Sequence, residues 1–330
     1  MEVVEEVLEQ IRKGTPINAI AIIAEKAPEE VKKVVENLFS DPNCVSSLDE
    51  DWRNLLLLIY FSHYSYMAEG KDDEQSISNS AVASITAAKL CRRLEVPDLE
   101  ARFLISGGRA IYKMRMKDKA EKLFREAEKI LKDLLKDRED EGDESDVREL
   151  KAMLANAMNE LAVLYMDMDR KEEAEKYLLS ALDIRREISD REGIAESLYN
   201  AGTYYMRAKR LDIAESYYRE CEELLWELCE ENEDNLPKLG MLMNNMGVLY
   251  RKMSKFDEAE KYHREALEIF DRLAKDDERW KKYVADTFGY IGTMYNDQMM
   301  FDDAAKYYNM AKQMYGELEK KMAEKARNAE

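Results

Sequence analysis

One spacing recurs five times along this chain and limits what it can fold into. At Gly247, Tyr250, Ala259 and Ala266 a small residue is followed by an aromatic and then by two alanines. The same offsets return at Gly292, Tyr295, Ala304 and Ala311, at Gly202, Tyr205, Ala214 and Cys221, and at Ala162, Tyr165, Ala174 and Ala181. A looser copy sits at Gly108, Ile111, Ala120 and Ala127. Within each copy the apolar positions follow helical periodicity. Met243, Met246, Gly247, Tyr250 and Met253 make one stripe, and Ala259, Tyr262, His263, Ala266, Leu267 and Phe270 make a second. Ser254–Asp257 is a short polar break between them, so the two helices lie antiparallel. Gly247 and Ala259 keep side chains small where the backbones approach, and Tyr250 supplies bulk beside them. A hairpin of this kind cannot bury both faces alone and stacks on its copies.

This pattern resembles the tetratricopeptide repeat, in Met246-Gly247, Tyr250, Ala259 and Ala266, with His263 where that family usually has an aromatic. Tyr218, Tyr308 and Phe124 supply the aromatic in other copies, and Leu178 is a softer match. The resemblance runs from Leu99 to the C-terminus. The family period is about 34 residues, whereas Gly202 to Gly247 and Gly247 to Gly292 are each 45. In spacing, these long repeats resemble kinesin light chain-like adaptors. The implied fold is all-α: a right-handed α-solenoid of antiparallel helix hairpins, a superhelix preceded by an N-terminal helical segment.

The composition agrees with that reading and excludes other classes. Charged residues make up 37% of the 330, with only 12 Gly and 5 Pro, which suits helices. No apolar run approaches the ~18 residues of a membrane span, and no basic-then-apolar leader opens the sequence. The expectation is a cytoplasmic protein. Cys44, Cys91, Cys221 and Cys229 are scattered and read as structural thiols in a reducing compartment. A net charge of −19 argues against nucleic acid and anionic membrane as partners, both of which need a basic face.

In chain order, residues 1–46 read as a bundle or cap of short helices. Ile17 to Leu38 has a helix-turn-helix flavour, but residues 1–50 hold five Lys/Arg against eleven Asp/Glu. Residues 47–95 read as a degenerate helical hairpin, opened by the capping box Ser47-Leu48-Asp49-Glu50. Its Tyr60, Phe61, His63, Tyr64 and Tyr66 are expected inside the core, because apolar residues occur all round that helix. Residues 96–330 hold about five repeats and a C-terminal capping helix. They are interrupted at 137–149 by an acidic loop of eight acids and two bases around Gly142. A calcium-loop reading of that stretch fails at Arg148, which stands where a bidentate Glu is needed.

Nothing in the chain has the spacing of a catalytic, metal or cofactor motif, and its two histidines, His63 and His263, lie far apart. The sequence points to a non-enzymatic scaffold without a cofactor, binding a protein or peptide partner. In such a solenoid the first helices of the hairpins line the binding groove. Their outward faces bring together Asn159; Tyr199, Asn200 and Arg207; Asn244, Asn245, Arg251 and Lys252; and Asn296. An amide both donates and accepts, so a ladder of asparagines can hold the backbone of an extended peptide. The resemblance implies this role, as in tetratricopeptide adaptors and bacterial peptide receptors, with Asn200 and Asn245 placed best. The other reading of these amides is that they only tie neighbouring helices together. The basic residues would favour an acidic group in the ligand. The alternative function is a ligand-sensing regulator whose N-terminal bundle contacts an effector or DNA.

Overall fold

The packing of the hairpins is set where small residues meet rings. At Gly108, Gly202, Gly247 and Gly292 an added Cβ would come under 3 Å from the ring of Phe124, Tyr218, His263 or Tyr308 respectively. In each case the ring lies sixteen residues on, across the hairpin. The one copy with an alanine, Ala162, has Leu178 at the matching place. The glycine is there to admit a side chain from the second helix. Its clearance serves the ring rather than the facing alanine.

The structure is a computed structural model that describes residues 2–68, 73–141 and 144–327. It is all-α, with no strand among the described residues. It divides into two compact units, Met1–Ile188 and Ser189–Glu330, and the division falls inside the stretch read from sequence as one run of repeats. The first unit holds the short helices α1 (Glu2–Arg12), α2 (Ala19–Lys26) and α3 (Glu29–Val35). Three hairpins follow: α4 (Glu50–Ala68) with α5 (Glu74–Arg93), α6 (Pro97–Lys113) with α7 (Lys117–Glu141), and α8 (Glu144–Asp167) with α9 (Lys171–Glu187). The second unit holds α10 (Arg191–Arg207) with α11 (Leu211–Glu231), α12 (Leu236–Lys252) with α13 (Phe256–Asp276), and α14 (Lys281–Asp297) with α15 (Phe301–Arg327).

Two expectations are corrected. The acidic stretch 137–149 is helical on both sides of residues 142–143, which lie outside the described residues: α7 runs to Glu141 and α8 begins at Glu144. Its Glu and Arg are good helix formers, and acids such as Glu144 and Asp146 suit the first turn of α8. The aromatic residues of α4 are also not all interior. Leu55, Leu56, Leu58 and Ile59 take the core, while Tyr60, Phe61 and His63 are half-buried and Tyr64 is exposed. These rings pack on one another, with Phe39 stacked on Tyr60 at 5.8 Å and edge-on to His63 at 5.0 Å.

The marker tyrosine does more than fill space. Tyr250 donates from its hydroxyl to Glu215 at 2.6 Å, Tyr295 to Glu260 at 3.0 Å, and Tyr165 to Glu121 at 2.7 Å. Each acceptor follows the paired alanine of the preceding hairpin, so the bond ties one hairpin to the next. The backbone carbonyls of the same tyrosines close the helix ends, accepting from the amides of Lys255, Met300 and Arg170 at 2.9 Å. That closure needs a left-handed residue just beyond the helix. Ser254 (φ 58°), Met299 (φ 61°) and Asp169 (φ 57°) fill the role, and none is a glycine.

Candidate binding face

The first helix α12 is enclosed by its own second helix α13 and by the first helices on either side of it, which leaves a narrow strip open. In the second unit α12 packs between α10 and α14. On α12 the strip is Met241, Asn245, Val248 and Lys252. On α10 it is Glu196, Asn200, Thr203 and Arg207, and on α14 it is Asp286, Tyr290, Thr293 and Asp297. The spacing of four, three and four residues keeps these side chains on one line of the helix surface. Asn200, Asn245 and Tyr290 stand level across the three helices. Arg207, Lys252 and Asp297 stand level two turns further on, about 10 Å away along the axes.

The residues singled out from sequence separate into two groups. Asn244 is buried at 6% exposure, and its Nδ2 donates to Thr287 of α14 at 2.8 Å. Asn159, in the first unit, is buried at 2% exposure. Neither amide is presented to a ligand, because both point toward the flank of the helix and not along the strip. Asn245 donates to the Tyr199 hydroxyl at 2.7 Å, joining α12 to α10. Arg251 pairs with Asp297 of α14. For Asn244, Asn245 and Arg251 the tie-between-helices reading holds. Asn200, half-buried, and Arg207 and Lys252, exposed, carry no such tie and stand open on the strip. Asn296 is exposed too, but it lies off the strip, at the flank position that Arg251 occupies on α12.

Beside Asn200 a cavity of about 350 Å³ opens between α10, α11 and α12, lined by Ala195, Glu196, Tyr199, Asn200, Leu225, Lys238 and Met241. Its walls are mainly apolar. Burial raises the Tyr199 hydroxyl to a pKa of about 12, against which the hydrogen bond from Asn245 works only in part. Tyr199 is therefore a neutral phenol near neutral pH. Leu225 was not singled out from sequence, because it belongs to a second helix. The available signal was its place seven residues after Tyr218 on the packing stripe, from which it reaches through to the groove side.

The first unit offers a different surface. Its strip residues Arg109 and Glu160 are bonded to each other across α6 and α8 at 2.6 Å, and Arg102 pairs with Glu149 at 2.9 Å. Charge there is balanced within the protein. Behind the strip of the second unit lies His263, fully buried, with Nδ1 3.1 Å from Asn244 Oδ1 and its ring stacked on Tyr290 at 5.7 Å. Asn244 donates its amide to Thr287, so its oxygen faces the imidazole and Nδ1 is the protonated nitrogen. Burial, helped by the nearby Arg251, lowers the His263 pKa to about 3. It serves as a packed interior ring.

Among the described residues no helix is long and apolar enough to cross a membrane. Residues 153–225 and 239–277 match tetratricopeptide-repeat families. No curated protein matches the sequence. Several solved structures share the fold. BtubC (BKLC) from P. vanneervenii is 22% identical with a TM-score of 0.59, covering 74% of this chain and 92% of that one. Aspartyl phosphate phosphatase F from Bacillus subtilis is 15% identical with a TM-score of 0.57, covering 95% and 93%. A Rap protein complexed with Competence and Sporulation Factor is 16% identical with a TM-score of 0.57, covering 96% and 98%.

Proposed function

We propose that this chain, a tetratricopeptide-repeat protein, holds an extended peptide or helix of a protein partner along the strip of α10, α12 and α14, and acts by binding without catalysis. The observation that carries the reading is the contrast within that strip. Asn245 is engaged with a neighbouring helix, whereas Asn200, Arg207 and Lys252 stand open beside an apolar cavity of about 350 Å³. An open amide can hold a ligand's backbone. Two uncommitted cations in a chain of net charge −19 favour an acidic group on the ligand, and the Tyr199, Leu225 and Met241 walls favour an apolar side chain. The complex of a Rap protein with Competence and Sporulation Factor supports ligand binding by this fold. The test is partner recovery in pull-downs with Asn200→Phe and with Arg207→Glu/Lys252→Glu. Recovery should fall in both, and unchanged recovery in both would sink this groove.

A second reading gives the short N-terminal helices a role of their own, in contact with an effector. It is favoured by structural relatives that align over 95% and 96% of the chain, more than the repeats alone. The exposed start of α3 carries Glu29 and Glu30, which would repel a phosphate backbone. A protein effector fits better than DNA. A gel-shift of duplex DNA by the full chain at low salt would overturn that preference.

A further inference from the structure

Two cavities of the first unit differ sharply in charge. One of about 560 Å³ beside α1 has six acids and two arginines in its wall. The other, of about 260 Å³, opens between α4, α6 and α8, and no acid lines it although the chain carries −19. Its polar wall is Ser65 and Tyr66 of α4, Arg102, Ser106 and Arg109 of α6, and Asn156 of α8. Arg102, Ser106 and Arg109 are spaced four and three residues apart, so they stand on one line of α6.

The polar groups of this wall are set to donate. Arg185, fully buried behind it, donates to Asn156. A guanidinium has no acceptor, so the atom it meets is Asn156 Oδ1, and the amide nitrogen is the end left over. Serine hydroxyls run in series on the other side. Ser84, fully buried, donates to Ser106 at 3.3 Å, so its own oxygen receives the Ser65 hydrogen at 2.8 Å. Among the described residues none accepts the Ser106 hydrogen, which can therefore be directed at a ligand. Donors in series strengthen one another, so the last of them is the strongest. Tyr66 gives its hydrogen to the Ile11 carbonyl at 3.0 Å and serves as a wall. Arg102 also pairs with Glu149 and Arg109 with Glu160, and neither acid lines the cavity. Each guanidinium carries five N–H donors, more than one carboxylate can engage.

We propose that this cavity binds a small organic anion. Its carboxylate or phosphate is held by Arg102, Arg109, Ser106 and Asn156, and its apolar part rests on Phe103, Ile105 and Met153. Guanidinium groups match both oxyanions in bidentate geometry. A volume of about 260 Å³ lies just below the ~300–1,000 Å³ of ordinary ligand sites, which suits a metabolite-sized molecule. The site lies in the first unit and stands or falls apart from the peptide strip of the second.

Isothermal titration calorimetry of the full chain with phenylacetate, phenyl phosphate and the neutral benzyl alcohol tests the proposal. The expected result is saturable, one-to-one binding of at least one anion and none of the alcohol, and the anion that binds identifies the head group. Ser106→Glu sets a carboxylate among the donors and should weaken binding by roughly tenfold or more. Arg109→Gln/Glu160→Gln removes a cation together with its partner, so no charge is stranded, and should weaken binding with the helical circular dichroism retained. An anion bound equally well by both variants overturns the proposal. So does an alcohol bound as well as the anions, or a wild-type chain that binds neither anion.

Discussion

Alanine at Gly108 isolates the rule that spaces the hairpins. An added Cβ would lie 2.7 Å from Phe124 Cδ1 and 2.9 Å from Cζ. Carbon atoms in good contact sit about 3.5–4.0 Å apart, so the overlap is near 1 Å against several ring atoms. Phe124 is fully buried and cannot swing clear. Overpacking of this size costs about 3 kcal/mol, and the better helix propensity of alanine returns about 1, leaving Gly108→Ala destabilised by about 2 kcal/mol. Phe124→Leu alone removes buried ring atoms and costs about 1–2 kcal/mol. The double variant recreates the Ala162/Leu178 pair already present in this chain. Its cost should therefore be less than that of either change, a coupling of about 2 kcal/mol or more in favour of the pair. Urea unfolding followed by circular dichroism measures all four proteins. Strictly additive effects would refute the rule that a glycine stands wherever a ring must be admitted.

Three further outcomes follow from the geometry. The unfolded imidazole of His263 titrates near 6.5 and the folded one at about 3. The unfolded chain thus takes up a proton that the native state refuses. The stability tied to this group is full above the unfolded value and declines as pH falls from ~6.5 toward 3, by roughly 2 kcal/mol between pH 7 and 5. His263→Phe should lose that part of the slope in urea midpoints, and identical slopes would contradict the burial. Lys209→Gly and Ser254→Gly, at φ 60° and 58°, should each stabilise the fold by roughly 0.5–1 kcal/mol, visible as a higher thermal midpoint. Tyr250→Phe removes the bond to Glu215 between successive hairpins and should cost about 1–2 kcal/mol in chemical denaturation, while binding is retained.

The repeat frame was legible because Gly202, Gly247 and Gly292 sit at positions where almost any other residue would collide with a ring. The partner of each glycine was legible too, sixteen residues on, though the facing alanines drew attention away from it. The binding face was legible only in outline. Counting residues turned away from one partner helix treats the other half of the helix as open, but α12 is flanked on both sides. That is why Asn244 and Arg251, one helical position from the strip, proved to be ties to Thr287 and Asp297. Which polar groups are already engaged depends on the neighbouring repeat, and spacing within one helix does not carry it. The helical character of 137–141 and 144–149 was hidden by charge, since acids are as much at home in a first helical turn as in a loop.

The central claim is that the open residues of the second unit select a ligand by its charge. A displayed library of random peptides, panned against the full chain and against Arg207→Glu/Lys252→Glu, tests it directly. The wild-type chain should enrich peptides that combine an apolar side chain with an acidic one, and the variant should lose the acidic preference. Recovery of the same peptides by both proteins, or of none by the wild type, would contradict it.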